Sequence, residues 1–173
     1  YSTATVLAIL GRHSEALVVL DEVLTTSRRT GDRETELAAM VRLGDRHSDL
    51  GDNRRAIAFY LEAQPLAREL GARRRLIDLT NSLGVAYRNS GDLGAADAHL
   101  ADSARLAHEA GDRAMAFSAT YNRAGIALQR GLLAETADLL DQLRRLDDLD
   151  EGERAAVDHL SSDLALERDN LAA

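Results

Sequence analysis

Histidines, carboxylates, tyrosines and arginines are the groups in this chain with chemistry to offer, and their spacing decides what they could do. His13, His47, His99, His108 and His159 include no pair three or four residues apart, the spacing that would turn two imidazoles toward one zinc ion from a helix face. His47 reads as a packing residue and the other four as surface residues. Asp147, Asp148, Asp150 and Glu151 crowd together but lack the alternating ligands and the glycine of a calcium loop, so they read as a solvated linker. Tyr60, Tyr87 and Tyr121 fall at core positions. No nucleophile stands with a base and an orienting group. The expectation is a chain without catalysis, metal or cofactor.

Composition narrows the partners. Of 173 residues 45% are hydrophobic but only 3% aromatic, so alanine and leucine must do the packing, which suits closely spaced helices. The net charge of −8 opposes nucleic acid, whose phosphates need a concentrated positive field. Arg73, Arg74 and Arg75 do cluster, but acidic residues surround them. Without cysteine there is neither disulfide nor thiolate metal site, which fits a reducing compartment and the cytoplasm. No apolar run approaches a membrane span and no signal peptide is visible. All 21 basic residues are arginine, a bias of GC-rich genomes. The first residue is Tyr1, so the chain is expected to be a segment of something longer.

The elements that must position these residues are marked by glycine. Gly11, Gly51, Gly91 and Gly131 stand 40 residues apart, with Gly31, Gly71 and Gly111 midway. Between them apolar residues recur at three- and four-residue steps, as in Ala16, Leu17, Leu20, Val23 and Leu24, so each interval reads as one helix. Residues 1–10 read as the end of a helix. The domain reading is a single solenoid: a partial first repeat (1–32), repeats at 33–72 and 73–112, a degenerate repeat at 113–150, and a capping helix with tail at 151–173. Pro65 lies inside a helix and is expected to kink it, with the helix resuming to Leu70. In the fourth unit a strict count of 40 from Leu83 would place Arg123 in the core. Burying an unpaired guanidinium is expensive, so the preferred register inserts one residue and matches Gly125 to Gly84, leaving Ala124 and Leu128 inside and Arg123 free.

A 40-residue pair of helices also suits HEAT or armadillo units. The detail separates them: Leu83-Gly84, Tyr87, Ala96 and Leu100, and likewise Leu43-Gly44, His47, Ala56 and Tyr60, resemble the tetratricopeptide pattern, with about six residues more than the usual unit of about 34. In that pattern Gly44, Gly84 and Gly125 would let the paired helix approach closely. With Gly-Asp-Arg linkers at Gly31-Asp32-Arg33 and Gly111-Asp112-Arg113, the chain is similar to the C-terminal repeat arrays of bacterial, actinobacterial-like LuxR-type and antibiotic-regulatory transcriptional activators, and more distantly to peptide-sensing regulators.

The resemblance implies an all-α fold, a right-handed superhelical solenoid of antiparallel helix pairs with a C-terminal capping helix. It also implies a concave groove lined by the first helix of each unit. Carried onto this chain, the groove positions are Val41, Ser48 and Asp49; Asn81, Arg88 and Asn89; and Asn122, Gln129 and Arg130, with Arg42, Asp45 and Arg123 beside them. Amides and guanidinium forks there could hold a peptide backbone or a carboxylate. The expected function is protein or peptide binding, with other domains of the same polypeptide among the partners, no nucleic acid and no membrane. Alternatives are a small-ligand or signalling-peptide sensor, and a scaffold that self-associates into a homodimer through the solenoid ends.

Overall fold

A helix-stop signal every twentieth residue, each followed by a fresh amphipathic stretch, leaves the chain little choice but short helices folded back on one another. The computed structural model describes residues 3, 6, 7, 10–146 and 148–172, the side chains of Leu171 and Ala172 excepted. Within them lie eight helices and no strand. They are α1 (His13–Thr30), α2 (Arg33–Asp49), α3 (Asn53–Glu69), α4 (Arg73–Ser90), α5 (Leu93–Ala110), α6 (Arg113–Gln129), α7 (Leu133–Arg144) and α8 (Glu151–Ala172). Of the helix expected at 1–10, Thr3, Val6 and Leu7 are helical and the remainder falls largely outside the described residues. Asp147 of the acidic run also lies outside them.

Most links are two or three residues long, too short for anything but an antiparallel return. At the end of α1, Gly31 adopts φ 72°, a left-handed conformation that side chains resist. There it closes the helix with Asp32 N–H donating to Ser27 O at 3.0 Å. The same conformation recurs at every twentieth residue from Gly11 to Gly131. Asp32, Asp52 and Asp112 then cap the next helices, accepting from Thr35, Arg55 and Met115 N–H at 3.1, 3.2 and 3.1 Å, which satisfies otherwise orphaned donors. Pro65 is exposed and does not interrupt α3. Ala63, Gln64, Leu66 and Ala67 around it are buried and hold the helix in place to Glu69, where Leu70 is the cap rather than a further turn.

The chain forms two compact units, residues 1–92 and 93–173. In the first, α2 packs against α1 and α3, and α3 against α4. Leu20, Leu37, Met40, Leu43, Tyr60 and Leu83 fill its core between alanines such as Ala39, Ala56, Ala63 and Ala86. Each large side chain removed from water contributes roughly 1.5–3 kcal/mol. In the second unit α6 packs against α5 and α7, and α8 covers α7 and part of α6, burying Val157, Leu160 and Leu164 while Leu166 stays 62% exposed. The start of α8 is well fixed. Asp150 and Glu153 each accept the other's backbone N–H, at 2.8 and 3.1 Å, a reciprocal capping box. Glu153 also takes a forked pair of bonds from Arg113 at 2.9 and 3.1 Å.

The fourth unit carries no inserted residue. Phe117, Ala119, Ala124, Thr136, Leu140 and Leu143 are buried, and they stand two full periods after Leu37, Ala39, Gly44, Ala56, Tyr60 and Ala63. Ala124, not Gly125, therefore answers Gly44 and Gly84. A Cβ added to Gly125 would meet nothing within 4 Å, so Gly125 is not a point of close approach. Arg123 does occupy the leucine position, and it is tolerated there because it is paired.

Candidate functional site

The first helices α2, α4 and α6 each bury one face, which leaves a second stripe at the edge of the packing. Ala38, Val41, Asp45 and Ser48 are half-buried on α2; Asp78, Asn81, Val85 and Arg88 on α4; Ser118, Tyr121, Gly125 and Leu128 on α6. The spacing of three, four and three residues is one helical stripe, and it recurs in the 40-residue register.

Most of the expected site residues of the first unit fall on or beside this stripe. Val41, Asp45 and Ser48 share it on α2, while Arg42 and Asp49 flank it and are exposed, Asp49 pairing with Arg46 at 2.8 Å. On α4, Asn81 and Arg88 share it and Asn89 is exposed. The Oδ1 of Asn81 is shielded from solvent and accepts no hydrogen bond.

In the second unit the uninterrupted register changes the placement. Tyr121, and not Asn122, is the counterpart of Asn81. Asn122 is half-buried, and its amide donates to Ser118 O of its own helix at 3.0 Å. Gln129 and Arg130 are exposed at the end of α6, with Arg130 serving as its C-cap.

Two of the candidates are held by partners. The Tyr60 hydroxyl donates to Asp45 Oδ1 at 2.8 Å, linking α3 to α2. Burial pushes the Asp45 carboxyl above its ordinary value even though that hydrogen bond favours the charged form. The same burial, reinforced by the carboxylate, pushes the Tyr60 phenol upward. Arg123 donates from Nε to Asp97 Oδ1 of α5 at 2.8 Å, and its other arm stands 3.7 Å from Glu135 of α7. Spacing from a glycine could not reveal that pair. A signal existed, however: Asp97 falls where Ile57 and Ala137 stand, so a carboxylate and a guanidinium replace apolar residues at two register positions of neighbouring helices.

The histidines and the other tyrosines are spread over both units. His47 is buried and stacks on Phe59 with centroids 5.6 Å apart, and burial pushes its pKa below the usual histidine value. His108 and His159 are exposed, but His13 and His99 are half-buried rather than on the surface, and burial lowers the pKa of His99 also. Tyr60 is buried. Tyr87 and Tyr121 reach only the rim of the packing, Tyr121 stacked on Phe117 at 6.0 Å. Among the described residues no group of three or more histidines or carboxylates could hold a metal ion. No helix among them is long and apolar enough to cross a membrane.

Comparison with known proteins agrees with this geometry. The tetratricopeptide repeat model matches residues 3–69. The structure of BtubC (BKLC) from P. vanneervenii superposes with a TM-score of 0.80 at 15% identity, covering 98% of this chain and 70% of that one. A putative kinesin light chain with nearly identical TPR-like repeats from Podosopora anserina superposes with a TM-score of 0.72 at 14% identity, covering 97% of this chain and 92% of that one. The fold is tetratricopeptide-like. At such identities the likeness is one of fold alone, and no curated protein matches the chain. Tetratricopeptide repeats are in general scaffolds for protein–protein contact, with their stacked helices presenting extended binding surfaces.

Proposed function

We propose that this chain is a non-catalytic module that binds a protein or peptide through the stripe on its first helices, and that it serves as the regulatory or interaction domain of a bacterial transcriptional activator in the cytoplasm. The observation that carries the binding role is the stripe itself. Its residues are half-buried beside the core, spaced to lie in line on each helix, and they change in size and polarity from one repeat to the next. Asn81 and Arg88 are the residues on which binding depends most. They supply amide donor and acceptor and a guanidinium fork on one line of α4, and the amide oxygen of Asn81 has its hydrogen-bonding capacity unspent. Arg42, Asp49 and Asn89 are the polar margin of the stripe in the first unit, and Asn122, Gln129 and Arg130 that of the stripe on α6 in the second. The regulatory setting is supported by the 40-residue unit with its Gly-Asp-Arg links.

Peptides selected from a random display library against the whole chain provide the test. Their affinity, measured by fluorescence polarisation, is expected to fall roughly tenfold in Asn81→Ala/Arg88→Ala, with no change in the melting curve. Selected peptides that bind that variant as well as the parent, or a library yielding none, would remove the stripe as the binding surface.

A further inference from the structure

One register position builds two sites with opposite contents. In α1–α3, Arg28 donates to Glu36 at 3.2 Å and pairs with Glu62, bringing two carboxylates onto one guanidinium. Two periods of 40 residues later, the places of Arg28, Glu36 and Glu62 are taken by His108, Ala116 and Gln142. Both carboxylates are gone. The buried Met40 and Leu43 beneath the first site are likewise replaced by Thr120 and Arg123.

What stands there in α5–α7 is an open cleft of about 420 Å³. Arg105, His108, Arg123 and Arg145 line it, Ala104 and Ala116 are among the small residues that make the room, and among the described residues no carboxylate is in its wall. Arg105 reaches Glu109 at 2.8 Å and Asp102 at 3.3 Å, but all three belong to the exposed side of one helix, where such pairs are easily exchanged. Arg145 makes no ion pair with any described residue and is exposed. Arg123 is held by Asp97 at 2.8 Å and has Glu135 3.7 Å from its other arm, so Arg105 and Arg145 are left to receive a ligand.

The geometry points to this cleft as a docking site for an acidic peptide segment of a partner protein. A glutamate or aspartate side chain enters beside Arg105 and Arg145, supplying the carboxylate that Glu36 and Glu62 supply in α1–α3, while an adjoining apolar side chain covers the alanines. Guanidinium forks match carboxylates in charge and shape, and the concave wall sets apolar surface beside them for an adjoining side chain. With a net charge of −8, much of the remaining surface repels an acidic ligand, so the cleft is where attraction is focused. The site is separate from the stripe. Ala116, Thr120 and Arg123 lie on one face of α6, whereas Tyr121, Gly125 and Leu128 lie on the opposite one.

The test uses the full chain and a labelled peptide of glutamate and leucine, with a matched peptide carrying glutamine for glutamate and with inorganic phosphate as competitor. Fluorescence polarisation is expected to show binding of the glutamate peptide alone. Arg105→Gln/Arg145→Gln should weaken it by roughly tenfold or more, and both residues are exposed, so the fold is untouched. Ala116→Glu/Gln142→Glu, which returns both carboxylates to the cleft, should abolish it without lowering the melting temperature. Should that variant unfold, the arginine pair decides alone. No binding of the glutamate peptide, equal binding of the glutamine peptide, indifference to the arginine substitutions, or full displacement by millimolar phosphate would each overturn the assignment.

Discussion

Gly44 and Tyr60 are a matched pair across α2 and α3: a Cβ on Gly44 would stand 2.7 Å from Cδ1 of the Tyr60 ring. In α6 and α7 the same register holds Ala124 and Leu140, both buried, so a larger residue on one helix is met by a smaller one on the other. Gly44→Ala is therefore expected to destabilise by about 1–3 kcal/mol through overpacking. Tyr60→Leu, which copies Leu140, should recover part of that loss when combined with it. Urea unfolding of the two single variants and the double variant measures the coupling, and strictly additive effects would show that the two residues do not oppose each other.

Gly125 lies in a helix interior with nothing near its missing Cβ. Gly125→Ala should raise stability by up to about 1 kcal/mol, because alanine restricts the unfolded backbone and suits the helix. A loss as large as that of Gly44→Ala would restore Gly125 as the close-approach residue and with it the shifted register.

Arg123 and Asp97 stand or fall together. Side-chain exposures of 21% and 28% leave either one costly to strand, so Arg123→Leu alone should destabilise by about 1–3 kcal/mol. Adding Asp97→Ile, the residue found at position 57, should return stability near the parent, because the pair is then replaced by the apolar residues of the equivalent repeat. Thermal melts that show the double variant weaker than Arg123→Leu would contradict a compensated swap.

The depressed pKa of His47 gives stability a sign with pH. Burial favours the neutral ring, and Asp52 at 3.8 Å only partly opposes it. Between the usual value of 6.5 and the lower folded one, the unfolded chain binds more protons. Stability from this group is therefore complete above 6.5 and falls as pH drops through that window. His99 acts in the same direction. Asp45 acts oppositely at lower pH, since its raised pKa makes the folded state the better proton binder above 3.8. His47→Phe, which keeps a ring against Phe59, should flatten the decline in melting temperature below pH 6.5, and an unchanged slope would exclude His47 as a contributor.

Helices and their phase were readable from the residues alone because they depend on local rules. Glycines that accept a left-handed backbone, aspartates that cap, and apolar steps of three and four act within a few residues, so the sequence by itself determined an all-α chain of short amphipathic helices and pointed to Leu43, Gly44, Ala56 and Tyr60 as interior. Arg123 shows where that reasoning stops. As a lone guanidinium it belongs outside the core, which periodicity can satisfy only with an inserted residue. Only the folded chain brings Asp97 from 26 positions away to 2.8 Å and makes the burial affordable. The arginine-lined cleft is likewise a property of α5, α6 and α7 together. Charge and cavity energies depend on distance in space, which periodicity along the chain does not encode.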